Sequence, residues 1–459
     1  MNKVKTQYTC TECGAISPKW IGNCPSCDSW NTYQEERIVK SPKRLSGHTW
    51  HLDDPKGRPS KPSHISKIES FRVARSHTKD KEFDRVMGGG IVPGSITLIG
   101  GDPGVGKSTL LLQIVLKWSG KSLYVSGEES MQQIKLRADR LGIDFNDTYI
   151  LSETNIESIL MEAKTLEPSL LVIDSIQTKY TGMLDSVPGS VSQVRECTTM
   201  LQRYAKETNV PVIIIGHINK EGSLAGPKVL EHIVDTVLQF EGDAHHVFRL
   251  LRTKKNRFGS TAELGIYEMH QGGLQIVTNP SKVLLGQGAV DSSGNAVGAT
   301  LEGMRPIMIE TQALVSGAVY GTPQRSTTGF DIRRLHMLLA VLEKRCGLFY
   351  GQSDVFLNIA GGIRVTDPAL DMAVMMALIS SLEEKIIPRS ICFAGEVGLS
   401  GELRAIDRLE QRILEAEKLG FRQIFISRYQ SKNLDFKTKS IQVIHVANID
   451  ELYRQVFVD

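Results

Sequence analysis

One short run constrains this chain more than any other: Gly101-Asp102-Pro103-Gly104-Val105-Gly106-Lys107-Ser108. It fits G-x-x-x-x-G-K-[ST] at every fixed position. The apolar, β-rich run SITLIG (95–100) precedes it, and TLLLQIVLKW follows with a helical pattern. Strand, glycine loop and helix in that order make a cradle for a polyphosphate. Backbone N–H groups must approach the phosphates closely, where side chains would obstruct them. The helix start adds the positive end of its dipole. ATP is the expected occupant, with Gly101 through Ser108 around its phosphates. Lys107 supplies a point charge, the Ser108 hydroxyl ligates Mg²⁺, and Thr109 is a secondary phosphate contact.

Four further apolar runs recur: SLYVSG (122–127), SLLVIDS (169–175), VPVIIIG (210–216) and VFRLLRTKK (247–255). Helical patterns separate most of them, which predicts a mostly parallel sheet covered on both faces. Asp174 ends its strand, where a carboxylate would orient the water shell of Mg²⁺. Hydrolysis also needs a group that positions water. Glu128 and Glu129 follow directly after a strand, and Glu128 is the favoured candidate; helix capping is the alternative for both. His217, at another strand end, reads as a γ-phosphate sensor or as a structural histidine. The polar, glycine-containing stretches 179–190 and 217–228 read as mobile ligand-contacting loops or as ordinary surface loops.

Cys10-x₂-Cys13 and Cys24-x₂-Cys27 are paired knuckles ten residues apart. Each turn brings two thiolates together, and two turns close a tetrahedral shell around Zn²⁺ with no open position. Disulfides or a redox pair are the alternative. Lys19, Trp20 and Trp30 would contact DNA or a partner, or pack around the metal. The 54 basic and 51 acidic residues leave +3, so any nucleic-acid contact must come from local segments. With no apolar signal core and no run of 18 apolar residues, a cytoplasmic protein without membrane contact is expected. The expected divisions are a zinc module (1–35), a linker rich in Lys, Arg, Pro, Ser and Gly (36–64), an α/β domain (65–277) and a second mixed domain (278–459). In the last, 368–385 and 407–420 read as helices, the second with Asp407 as N-cap and Gly420 as its stop.

The knuckles, GDPGVGKST, LLVIDS and then Lys255-Asn256-Arg257-Phe258-Gly259 occur in an order that resembles the bacterial RadA (Sms) family of DNA-repair proteins over nearly the whole chain. KNRFG is that family's hallmark. The resemblance implies an α/β architecture: a RecA-like P-loop ATPase core, an N-terminal four-cysteine zinc knuckle and a C-terminal α+β Lon-protease-like domain. It implies a DNA-dependent ATPase and ring-forming motor, a hexamer, acting by strand exchange or branch migration on recombination intermediates. Its partners would be single-stranded and branched DNA, with recombinase or replication proteins. Lys255 and Arg257 become catalytic cations that reach a neighbouring subunit's ATP, or DNA phosphates. Lys179, Lys220 and Lys228 become candidate DNA contacts. Where Lon proteases carry their nucleophilic Ser, this chain has Ala369, and where they carry the base Lys it has Glu410. A protease-derived fold without peptidase activity is the expectation. Arg305, Arg325, Arg333, Arg334 and Lys344 are its loose candidates for a DNA-contact surface. The rival readings are a nucleotide-regulated scaffold and an ATP-dependent protease.

Overall fold

The computed structural model describes residues 4–10, 15–26, 28–39, 64, 75–143, 147–217, 229–242, 248–285, 292–318, 321–430 and 440–457. They form two compact units, Met1–Ile276 and Val277–Asp459.

The first unit opens with an antiparallel ribbon of β1 (Val4–Cys10), β2 (Ile16–Ser17) and β3 (Tyr33–Val39), in the order β2-β1-β3. One backbone hydrogen bond recurs after Cys10 and after Cys24. Cys10 N–H donates to Ala15 O and Cys24 N–H to Ser29 O, each at 2.9 Å.

The α/β part follows: α1 (Lys81–Val86), β4 (Ile96–Gly101), α2 (Lys107–Lys117), β5 (Ser122–Ser126), α3 (Met131–Leu141), β6 (Thr148–Ser152), α4 (Ile156–Leu166), β7 (Leu170–Asp174), α5 (Val191–Thr208), β8 (Val212–His217), α6 (Val229–Ile233), β9 (Thr236–Glu241), β10 (Phe248–Asn256), β11 (Leu264–His270) and β12 (Gly273–Ile276). Nine strands make one sheet in the order β12-β11-β10-β9-β4-β8-β7-β5-β6. From β9 to β6 the pairing is parallel. The β9–β10, β10–β11 and β11–β12 pairs are antiparallel, so VFRLLRTKK runs against its neighbour in the parallel set. Strand residues alternate between two cores, as the period of two requires. Tyr124, Val172 and Ile213 pack with Leu111, Val115 and Ile134 of α2 and α3. Leu123, Leu171, Ile173 and Ile214 pack with Ile159, Leu160 and Leu201 of α4 and α5. Coverage of both faces is what the near-continuous apolar strands predict.

The second unit comprises α7 (Pro280–Leu284), β13 (Asn295–Glu302), β14 (Arg305–Gly317), β15 (Arg325–Thr328), α8 (Ile332–Val341), β16 (Ser353–Ile359), α9 (Asp371–Glu383), β17 (Ile391–Ala394), β18 (Glu396–Val397), β19 (Leu403–Arg404), α10 (Leu409–Lys418), β20 (Gln423–Ser427), β21 (Gln442–Val446) and α11 (Ile449–Phe457). Seven of its strands form a mixed sheet, β15-β16-β14-β13-β17-β20-β21. The apolar helix α9 is buried from Asp371 through Ser380. Asp407 is not the N-cap of α10, which corrects the sequence reading. The helix starts after Arg408 in a left-handed conformation (φ 54°) with no side-chain cap. Asp407 instead offers its carbonyl to Arg412 Nε at 3.1 Å. Gly420, at φ 89°, does end the helix: Phe421 N–H donates to Ala416 O and Gly420 N–H to Glu417 O.

Candidate nucleotide site

The loop between β4 and α2 turns through Gly104 (φ 77°) and Gly106 (φ 109°), conformations that side chains with a Cβ resist. Space is closed as well. A Cβ on Gly106 would stand 2.7 Å from Met269 Cε, and one on Gly101 would stand 2.3 Å from Phe240 O. Leu110 N–H donates to Gly106 O at 2.9 Å, which begins α2 directly behind the loop. Lys107 is buried at that helix start, and its Nζ donates to Gly101 O (2.6 Å) and Asp102 O (2.8 Å). Burial holds its pKa below the ordinary lysine range, while the charges of Asp174, Asp102 and Glu128 pull it back. Ser108 and Thr109 follow in the first turn, both half-buried. A narrow backbone cradle ending in a cation fits polyphosphate.

Asp174 stands at the end of β7, beside β5, and is buried. It accepts a hydrogen bond from Tyr124 Oη, an interaction the sequence reading missed. Tyr124 lies within an apolar strand, where nothing in the sequence separates a core tyrosine from a positioning one. Burial raises its pKa well above the usual phenol value, with Asp174 adding to the shift, so the phenol keeps the proton it donates to Asp174. Arg137 on α3 donates to Tyr124 Oη (3.3 Å) and to Glu129 Oε1 (2.9 Å). The two glutamates are thereby told apart. Glu129 is held by Arg137, whereas Glu128 Oε1 accepts from Ser175 Oγ at 2.6 Å. Neither caps α3: Ser130 does, in a capping box with Gln133. A buried carboxylate at a strand end and a serine at the helix start supply hard oxygen donors of the kind Mg²⁺ prefers.

Other candidates fall elsewhere. Lys179 is corrected: it is fully buried, its Nζ donates to Glu153 O at 2.7 Å, and it does not face a DNA phosphate. The start of its segment is not a loose loop either. Gln193 reaches back from α5 to Thr181 N and O, Leu184 O and Ser186 O and pins it. Lys220 and Lys228 lie outside the described residues, as does the side chain of His217. Lys255 Nζ donates to Val234 O (2.9 Å) and to Glu231 O, so it is engaged by backbone carbonyls. Arg257 is exposed and pairs with Asp235 Oδ1 at 3.4 Å. Asp235 in turn accepts from Ile96 N–H (3.1 Å) and Lys206 Nζ (2.8 Å). Arg75 holds the KNRFG turn by donating to Phe258 O and to Met87 O.

In the ribbon, Cys10 and Cys24 are buried in one cluster with Tyr33. Cys10 Sγ lies 3.1 Å from Thr32 Oγ1, and Cys24 Sγ 3.6 Å from Tyr33 Oη. Both hydroxyls can donate to a thiolate, a contact that would hold each sulfur in place for a zinc ion. Cys13 and Cys27 lie outside the described residues. In the second unit Ala369 is buried, and Asp367 caps its N–H at 3.1 Å. Glu410 is exposed. The buried Arg412 donates to Asp367 Oδ2 and Ala299 O, each at 2.6 Å. Arg334 is not a free surface cation, a second correction: it makes a two-pronged pair with the buried Asp371.

Fold and loop together define a RecA-like P-loop ATPase that uses ATP and Mg²⁺. Family models agree along the chain: a rubredoxin metal binding domain matches residues 8–35, an AAA domain 62–223, and the Lon protease (S16) C-terminal proteolytic domain 342–459. The DNA repair protein RadA of Bacillus subtilis (strain 168) is 50% identical over 99% of both chains. RadA of Streptococcus pyogenes serotype M6 is 47% identical over the full length of both. RadA of Listeria monocytogenes serovar 1/2a is 46% identical over 100% of this chain and 99% of that one. Among solved structures, a KaiC-like protein of Pyrococcus horikoshii OT3 aligns with 44% of this chain and 99% of that chain, at 22% identity and a TM-score of 0.38. The chain belongs to the RadA family of DNA repair proteins: an ATPase with a zinc-binding ribbon and a Lon-type domain. Among the described residues, no helix is long and apolar enough to cross a membrane.

Proposed function

We propose that this chain is a DNA-dependent ATPase that assembles as a ring, a hexamer, in the cytoplasm. It moves single-stranded DNA and drives branch migration of recombination intermediates. In this reading, backbone N–H groups of 101–107 and Lys107 bind the phosphates, and Ser108 and Asp174 hold Mg²⁺. The metal, when bound, neutralises charge on the phosphate oxygens. Tyr124 fixes Asp174, and Ser175 fixes Glu128. Glu128 accepts a hydrogen bond from the attacking water. Water adds to the γ-phosphorus, the bond to the β–γ bridging oxygen breaks, and ADP and phosphate leave.

The position of Arg257 carries the assembly part of the proposal. Asp235 ties it to Ile96, at the amino end of β4. The cradle begins at Gly101, the other end of that strand. Five residue steps span roughly 17 Å, farther than an arginine side chain extends. If Arg257 stabilises transition-state charge, it acts on the nucleotide of another subunit, which calls for head-to-tail interfaces closing into a ring. With Ala369 in place of the Lon-type nucleophile and the exposed Glu410 in place of its base, peptidase activity is not part of the proposal.

Mixed oligomers test it. Lys107→Ala and Arg257→Ala chains are each expected to be inactive alone. Mixed in equal amounts, they should regain about a quarter of wild-type turnover, because one interface in four then holds an intact cradle and an intact arginine. Single-stranded DNA should raise wild-type turnover. No recovery on mixing would place Arg257 within its own subunit's site, and turnover indifferent to DNA would end the motor reading.

A further inference from the structure

The ribbon exposes two tryptophans that the ATPase reading does not use. Trp20 is 53% and Trp30 70% exposed, a large apolar area for so small a fold. They are not scattered. Trp20 Cη2 and Trp30 Cζ3 each lie 3.8 Å from the position a Cβ on Gly22 would occupy. The backbone fixes this meeting point: Asn23 and Trp30 form a β-bridge, and Asn31 N–H donates to Gly22 O at 2.7 Å. Two indoles therefore share a shelf whose floor residue has no side chain. Lys19 is exposed next to Trp20, its backbone held by Ser17.

We infer that this shelf is a binding site for the bases of single-stranded DNA, which stack on Trp20 and Trp30 while Lys19 meets the adjoining phosphate. Every base has a π-face, so aromatic shelves bind strands with little regard to sequence. A cation beside the rings suits the polyanionic backbone rather than a purely apolar partner surface. The inference rests on the DNA reading above and gives the zinc ribbon a direct part in holding the strand.

The test uses the full-length zinc-loaded protein and a labelled oligothymidylate, read by anisotropy and by quenching of intrinsic tryptophan fluorescence. Trp20→Ala with Trp30→Ala should weaken binding by about tenfold to a hundredfold and reduce the quenching. The slope of affinity against salt should stay as in the wild type, whereas Lys19→Ala should reduce it by about 0.7. Trp20→Phe keeps a π-face and should retain most of the affinity. If the wild type binds no single-stranded DNA, the motor reading itself fails. If the wild type binds and the double variant binds equally well with zinc retained, the shelf alone is refuted.

Discussion

Replacing Lys179 by Met gives a signed pH prediction. The ammonium is fully buried beneath Gly127, where a Cβ would stand 2.8 Å from Nζ. Burial lowers its pKa from 10.5 to about 8, against the opposing pull of Asp174, Glu153, Glu128 and Cys197. That difference corresponds to about 3 kcal/mol between the protonation states. The folded pKa lies below the unfolded one. Between about pH 8 and pH 10.5 the unfolded chain therefore holds a proton that the folded chain has released, and stability climbs with pH. Below that window both states are charged, and the full cost of burying the ammonium is present. Lys179→Met removes that cost but leaves the Glu153 carbonyl without its donor, a loss of about 1–3 kcal/mol. At neutral pH the two effects nearly offset. Urea unfolding followed through the buried Trp118 would measure wild type and variant in steps across the window. Wild type should gain about 3 kcal/mol on the variant as pH rises through it. A difference that stays flat with pH would refute the buried, charged placement.

Tyr124→Phe removes the donor to Asp174 and should lower kcat about tenfold, with nucleotide affinity largely kept in the absence of Mg²⁺; single-turnover kinetics with and without the metal would check this. Cys24→Ser should abolish the about one zinc per chain expected by elemental analysis, and retention of the metal would contradict the four-cysteine site.

The phosphate cradle was legible in the sequence because its information is local. Glycines at two left-handed positions, a lysine and a serine within eight residues carry both the turn and the chemistry. What stayed hidden is held at a distance in sequence. Lys179 sits in a polar stretch that reads as exposed, yet Gln193, on the next helix, supplies the hydrogen bonds that bury the start of that stretch. Tyr124 looks like one more apolar strand position until β7 places Asp174 beside its strand. β11 and β12 lie outside the parallel set and escaped the reading, as did the half-exposed β6 and the largely buried β9. Arg257 marks the boundary between the two kinds of knowledge. Residue type and motif suggest a chemistry for it, but not a direction. Only the pairing of β9 with β4 puts it at the end of the strand remote from the cradle, the placement from which we propose that it acts on a neighbour's ATP.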